Sequence, residues 1–123
     1  MGKEVKERRY IEVLTFKVVI ELRETTPEGF AETASAGVYD EPDENFTFKM
    51  WFKIEEDPLG LKIIAHECWH LFMSIMNHVD KFEHTFEELN NEIYAYNFHK
   101  LVGDVLDALF STKTYSRFLE KIN

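Results

Sequence analysis

Ile63-Ile64-Ala65-His66-Glu67-Cys68-Trp69-His70-Leu71-Phe72 is an apolar run long enough for a helix, and it holds the pattern His-Glu-x-x-His. On a helix, His66 and His70 stand one turn apart on the same face, so both imidazoles can reach one ion. Glu67 falls about 100° round from His66, where it can address a water on that ion without occupying a coordination position. The alternative is a pair of satisfied core histidines, and a third ligand decides between the two. Upstream, Asp57 suits the N-cap and Pro58 the first helical position, which predicts a helix over 58–79. Leu59, Ile63, His66, His70, Met73 and Asn77 fall on one face of that helix. Ile64, Cys68, Leu71, Phe72, Ile75 and Val79 fall on the other. A helix apolar on both sides is expected at the centre of the fold, with a sheet behind it and a second helix in front.

That second helix is predicted over 86–111. Thr85-Phe86-Glu87-Glu88 is a capping box at its start, and Glu92 follows His70 after 21 intervening residues, enough to turn the chain and lay the helices antiparallel. The expected inward face carries Glu88, Glu92, Ala95, Tyr96, His99, Gly103, Leu106 and Phe110, polar near the start and apolar later. Ala95 and Gly103 would permit close approach to the first helix. A last short helix is expected over 113–122, packing through Tyr115, Phe118, Leu119 and Ile122.

His66, Glu67 and His70, with the later Asn91-Glu92-x-x-Ala95, resemble the zincin metallopeptidases of the gluzincin type over about residues 57–103. The spelling His-Glu-Cys-x-His followed by Glu-x-x-Ala-Tyr, in so short a chain, also resembles small zincin-like proteins encoded by bacteriophages. The resemblance implies a zinc ion held by His66, His70 and Glu92, with Glu67 as general base in peptide-bond hydrolysis. Thermolysin-like enzymes carry an Asp four residues after the Glu ligand to orient the first His, and here that position is Tyr96. Glu88, one turn before Glu92, is the candidate replacement; its alternative is a solvated carboxylate favoured at a helix start. Tyr96 and His99 are candidates for stabilising the oxyanion, against the reading that each is bonded to backbone. A catalytically silent zinc-binding module, such as an inhibitor of a host factor, is the rival function.

Ahead of the helices, residues 10–24 alternate, with Leu14, Phe16, Val18, Ile20 and Leu22 opposite Thr15, Lys17, Glu21 and Arg23. Residues 46–55 alternate again, with Phe46, Phe48, Met50, Phe52 and Ile54 on one face. A weaker strand is expected over 30–39, at an edge where extended substrate could pair. The expected fold is α+β, and the resemblance implies one minimal zincin-like domain over 1–123, with an antiparallel three-stranded sheet over 10–55 packed on the central helix.

Composition sets the remaining limits. Hydrophobic residues make up 45% of the chain and there are 11 Phe, which fits one packed domain of 123 residues. A formal net charge of −9 argues against nucleic acid or anionic membrane as a partner, and the resemblance implies a peptide or protein substrate. One cysteine precludes an internal disulfide; about 200° round the helix from His66, Cys68 is expected in the core. Trp69 is expected to pack, and His78 and His84 to be surface residues. With no apolar leader and no run of membrane-spanning length, the cytoplasm is the expected location.

Overall fold

The computed structural model describes residues 4–54, 60–80 and 92–116, apart from the side chains at 61, 79, 80, 92 and 93. Four strands, β1 (Val5–Val13), β2 (Phe16–Arg23), β3 (Ala36–Val38) and β4 (Thr47–Lys53), precede two long helices, α1 (Leu61–Asp80) and α2 (Glu92–Phe110). A helical turn follows over 113–116. The fold is α+β, but the sheet is mixed and four-stranded, in the order β1-β2-β4-β3, rather than antiparallel and three-stranded. β1 and β2 pair antiparallel, β2 and β4 parallel, and β4 and β3 antiparallel.

The extra strand arises where one was expected. Val13 and Phe16 close a two-residue hairpin whose central residues, Leu14 and Thr15, both take positive φ, 49° and 73°. That backbone matches a type I′ turn, which normally recruits Asn or Gly. Leu14 is consequently in the turn and exposed, not on the core face. Phe46 also leaves its expected face. It is 62% exposed with φ 57°, in a turn where Asp43 Oδ1 accepts the N–H groups of Asn45 and Thr47 at 2.8 and 3.0 Å.

The interior strands β2 and β4 bury both faces. Val18, Ile20, Leu22, Phe48, Met50 and Phe52 point to the helices and are all buried. α1 meets them with Ile64, Cys68, Leu71, Phe72 and Ile75, spaced at 3–4 residues as one buried stripe requires. α2 adds Leu101, Val105 and Leu109. On the back of the sheet lies a second, smaller layer. Phe30 stacks edge-on against Trp51 and Tyr39, with centroids 5.2 and 5.1 Å apart. Gly37 sits beneath them, and a Cβ there would come within 2.6 Å of both Phe30 Cε1 and Trp51 Nε1. β3 lies at the sheet edge, as expected, although it is only three residues long.

Two expectations about the helices are corrected. α1 is buried on one side only: Ile63, His66, His70 and Asn77 are exposed, so α2 does not close over them. α2 packs instead through Tyr94, Phe98, Leu101, Val105 and Leu109, whereas Ala95, Tyr96, His99 and Gly103 face solvent. A Cβ at Gly103 would meet nothing within 4 Å, so no close helix approach requires this glycine. The N-cap expected at Asp57, the capping box at 85–88, and residues 117–122 of the last helix lie outside the described residues. So does His84.

Candidate metal centre

α1 brings His66 and His70 together as the spacing requires. Their Nε2 atoms lie 3.1 Å apart, with ring centroids at 4.6 Å and planes at 75°. Two bonds of about 2.0–2.1 Å to one tetrahedral ion hold their nitrogens about 3.4 Å apart, so this pair is already close to a shared-ligand geometry. Without an ion, the same contact is a hydrogen bond when one ring carries the Nε2 proton and the other does not. Ligand atoms of His66, Glu67 and His70 all lie within 4.8 Å of one another, and the group could hold a metal ion.

The two imidazoles are exposed, but Glu67 is only 7% exposed. Its Oε2 is buried without a hydrogen-bond partner among the described residues. Burial raises the carboxyl pKa, and the nearby His70 and His66 draw it the other way. A carboxylate in this setting is poorly solvated beside two imidazoles that open to solvent. A cation at the imidazoles would relieve that penalty, so the donor set fits a divalent metal.

Cys68 is fully buried and takes no part: burial, with Glu67 adding to it, pushes its thiol up to about 12. Trp69 does pack, stacking on Phe72 at 6.1 Å and meeting Phe98 edge-on at 5.4 Å, yet it remains 41% exposed beside the histidines. Phe72 in turn meets Tyr94 and Phe98 at 6.3 and 5.6 Å. This aromatic cluster joins the start of α2 to the turn of α1 that carries His70. Tyr94 and Phe98 were legible as one stripe with Leu101, Val105 and Leu109, but the acidic residues near the helix start favoured the other face. His78 is no plain surface residue, since it packs edge-on to Phe16 and Phe48 at 5.6 and 5.8 Å.

Tyr96 is 68% exposed and His99 is also exposed, and neither contacts His66, Glu67 or His70 among the described residues. Their exposure also departs from the alternative reading, in which each is buried and bonded to backbone. Glu92 is the first residue of α2, and its side chain lies outside the described residues, as does Glu88 entirely. No helix among the described residues is long and apolar enough to cross a membrane. None of the family models, curated proteins or solved structures compared with the chain matches it.

Proposed function

We propose that the chain is a zinc-dependent metallopeptidase with a zincin-like site. His66 and His70 are two of the ligands, Glu92 is the third, and Glu67 is the general base. The observation that carries the reading is the 3.1 Å approach of the two Nε2 atoms beside the unpartnered, buried Glu67 carboxylate. Bound there, zinc would supply Lewis acidity, toward a water and toward the substrate carbonyl. Glu67 would accept a proton from the attacking water and return it to the leaving amine. Trp69, exposed at the rim, offers a surface for a substrate side chain. The edge strand β3, packed against α1, offers main-chain groups to an extended peptide.

A catalytically silent zinc-binding module, for example an inhibitor of a host factor, is the second reading. The exposure of Tyr96 and His99 favours it, because these were the two residues expected to donate to the oxyanion. Metal analysis of protein purified without added zinc tests the first step. One equivalent per chain is expected, lost in both His66→Ala and Glu92→Ala. A peptide-library digest then separates the two readings. Cleavage by the wild type that disappears in Glu67→Gln, with metal content unchanged, supports the peptidase. A zinc-loaded wild type that cleaves nothing supports the silent module.

A further inference from the structure

β1 forms the edge of the sheet opposite β3, and it is three times as long, nine residues against three. In the hairpin, Val13 and Phe16 form the closing hydrogen-bonded pair. Val13, Ile11 and Arg9 therefore direct their N–H and C=O groups at β2, while Glu12, Tyr10 and Arg8 direct theirs outward. The Arg8 carbonyl confirms this orientation by accepting Arg9 Nη1 at 2.8 Å. Among the described residues, the outward main-chain groups of Tyr10 and Glu12 have no hydrogen-bond partner.

A trough runs beside this edge. A cavity of about 440 Å³ separates residues 12–15 from α2 at Leu101 and Asp104. A second, of about 400 Å³, extends it past Ile11 to Asp107 and Ala108. Six residues of strand span about 20 Å, so the edge from Arg8 to Val13 has room for a partner strand of similar length. Ile11 and Ala108 give the trough an apolar element, and Glu12, Asp104 and Asp107 make its rim acidic. None of these three carboxylates has an ion-pair partner among the described residues. The nearby Arg9 is already engaged by Glu7 at 3.3 Å and by Ser111 Oγ at 2.9 Å. Lys100 is the cation at the end of the trough near the hairpin turn.

We infer that the free edge of β1 and the acidic flank of α2 form a docking site for an extended basic peptide, which adds as a fifth strand. Main-chain bonds to Tyr10 and Glu12 supply sequence-tolerant affinity. Alternate side chains of the added strand point toward α2, so lysine or arginine at every second position meets Asp104 and Asp107. A second copy of the chain fits less well. With outward-directed residues facing one another, the full-length antiparallel register of β1 with a second copy of itself opposes Arg9 to Arg9 at its centre. The site is at the sheet edge opposite β3 and does not depend on metal at His66 and His70.

The test uses the full-length chain and a fluorescein-labelled nine-residue peptide of alternating lysine and valine, followed by fluorescence anisotropy. Saturable binding is expected, with the Tyr10 and Glu12 amides becoming protected from hydrogen exchange. Replacing the lysines by glutamate, or N-methylating every second amide on the edge that faces β1, should each weaken binding at least tenfold. Asp104→Lys combined with Asp107→Lys should reverse the preference between the lysine and glutamate peptides, with circular dichroism confirming that the variant is folded. Equal affinity for the N-methylated peptide would reduce the contact to unspecific charge attraction and overturn the inference. So would binding without protection at Tyr10 and Glu12. A peptide-free dimer that already protects those amides would place a second copy on the edge and also overturn it.

Discussion

Glu21 and Glu67 are both buried carboxylates, 3% and 7% exposed, and their surroundings differ in kind. Glu21, behind the sheet, receives Arg8 Nε at 3.1 Å and Arg23 Nη1 at 3.4 Å. Arg23, itself 8% exposed, also reaches Glu4 at 3.2 Å and the Thr25 carbonyl at 3.1 Å. Every charge in that group is matched by a partner of fixed geometry, as a structural ion pair must be. Glu67 has two exposed imidazoles as neighbours and an Oε2 with no partner among the described residues. A buried carboxylate whose charge is left uncompensated weakens the fold, and such groups persist where chemistry or ligand binding uses them. The comparison separates a carboxylate that holds the molecule together from one that the molecule tolerates.

The largest effect that would sharpen this contrast is on turnover. If the chain is the peptidase proposed, Glu67→Gln should cut peptide hydrolysis by about 10²–10⁴-fold while leaving bound zinc unchanged, read by single-turnover cleavage beside metal analysis. Loss of zinc in this variant would instead make Glu67 a ligand. Next, Glu21→Ala should cost about 3 kcal/mol in urea unfolding, because it removes the buried partner of Arg23 and leaves it only the exposed Glu4 and the Thr25 carbonyl. Replacing Glu21 and Arg23 together by methionine and leucine should recover most of that loss, and failure to recover would show that Glu21 does more than neutralise Arg23. Gly37→Ala should cost about 1–3 kcal/mol, since Trp51 is fully buried and cannot retreat from the added methyl.

The smallest effect has the opposite sign. Burial raises the Glu67 carboxyl pKa, so the folded chain keeps this proton to a higher pH than the unfolded chain. Stability therefore falls as pH rises from the unfolded value through the folded one, and the loss is complete above the latter. In the metal-free protein, Glu67→Gln should be isostable with wild type near pH 4 and more stable by about 1 kcal/mol near neutral pH. Urea titrations in chelator at both pH values check this. A variant less stable than wild type at neutral pH would show that the carboxylate is satisfied after all.

The parts of the fold legible in the sequence were those with one strong period. α1 as a helix and β4 as a strand could be read from their apolar spacing, and His66, Glu67 and His70 followed from the helix, although the second face of α1 expected to be covered is exposed. The hairpin was hidden because Leu14 and Thr15 carry none of the residues that usually mark a type I′ turn. Parallel pairing of β2 with β4 leaves no local signature, since each strand is read against partners distant in the chain. Glu21 and Arg23 looked like a solvated face, because polarity does not distinguish an exposed charge from one matched across a sheet. On α2 two stripes competed, and the aromatic one at Tyr94 and Phe98 prevailed because burying rings against Trp69 and Phe72 outweighs the small residues of the other.

The placement of β4 between β2 and β3 has a kinetic consequence. The β1–β2 hairpin can form on its own, but β3 has no neighbour in the sheet except β4. β3 and β4 are joined by the eight residues 39–46 and can pair locally, so zipping of β4 along β2 carries β3 into the sheet, and it closes a loop of 23 residues, 24–46, before it gains any bond. Amide exchange in Ala36, Gly37 and Val38 should follow that of Met50, Trp51 and Phe52 as one cooperative unit, while the hairpin opens independently.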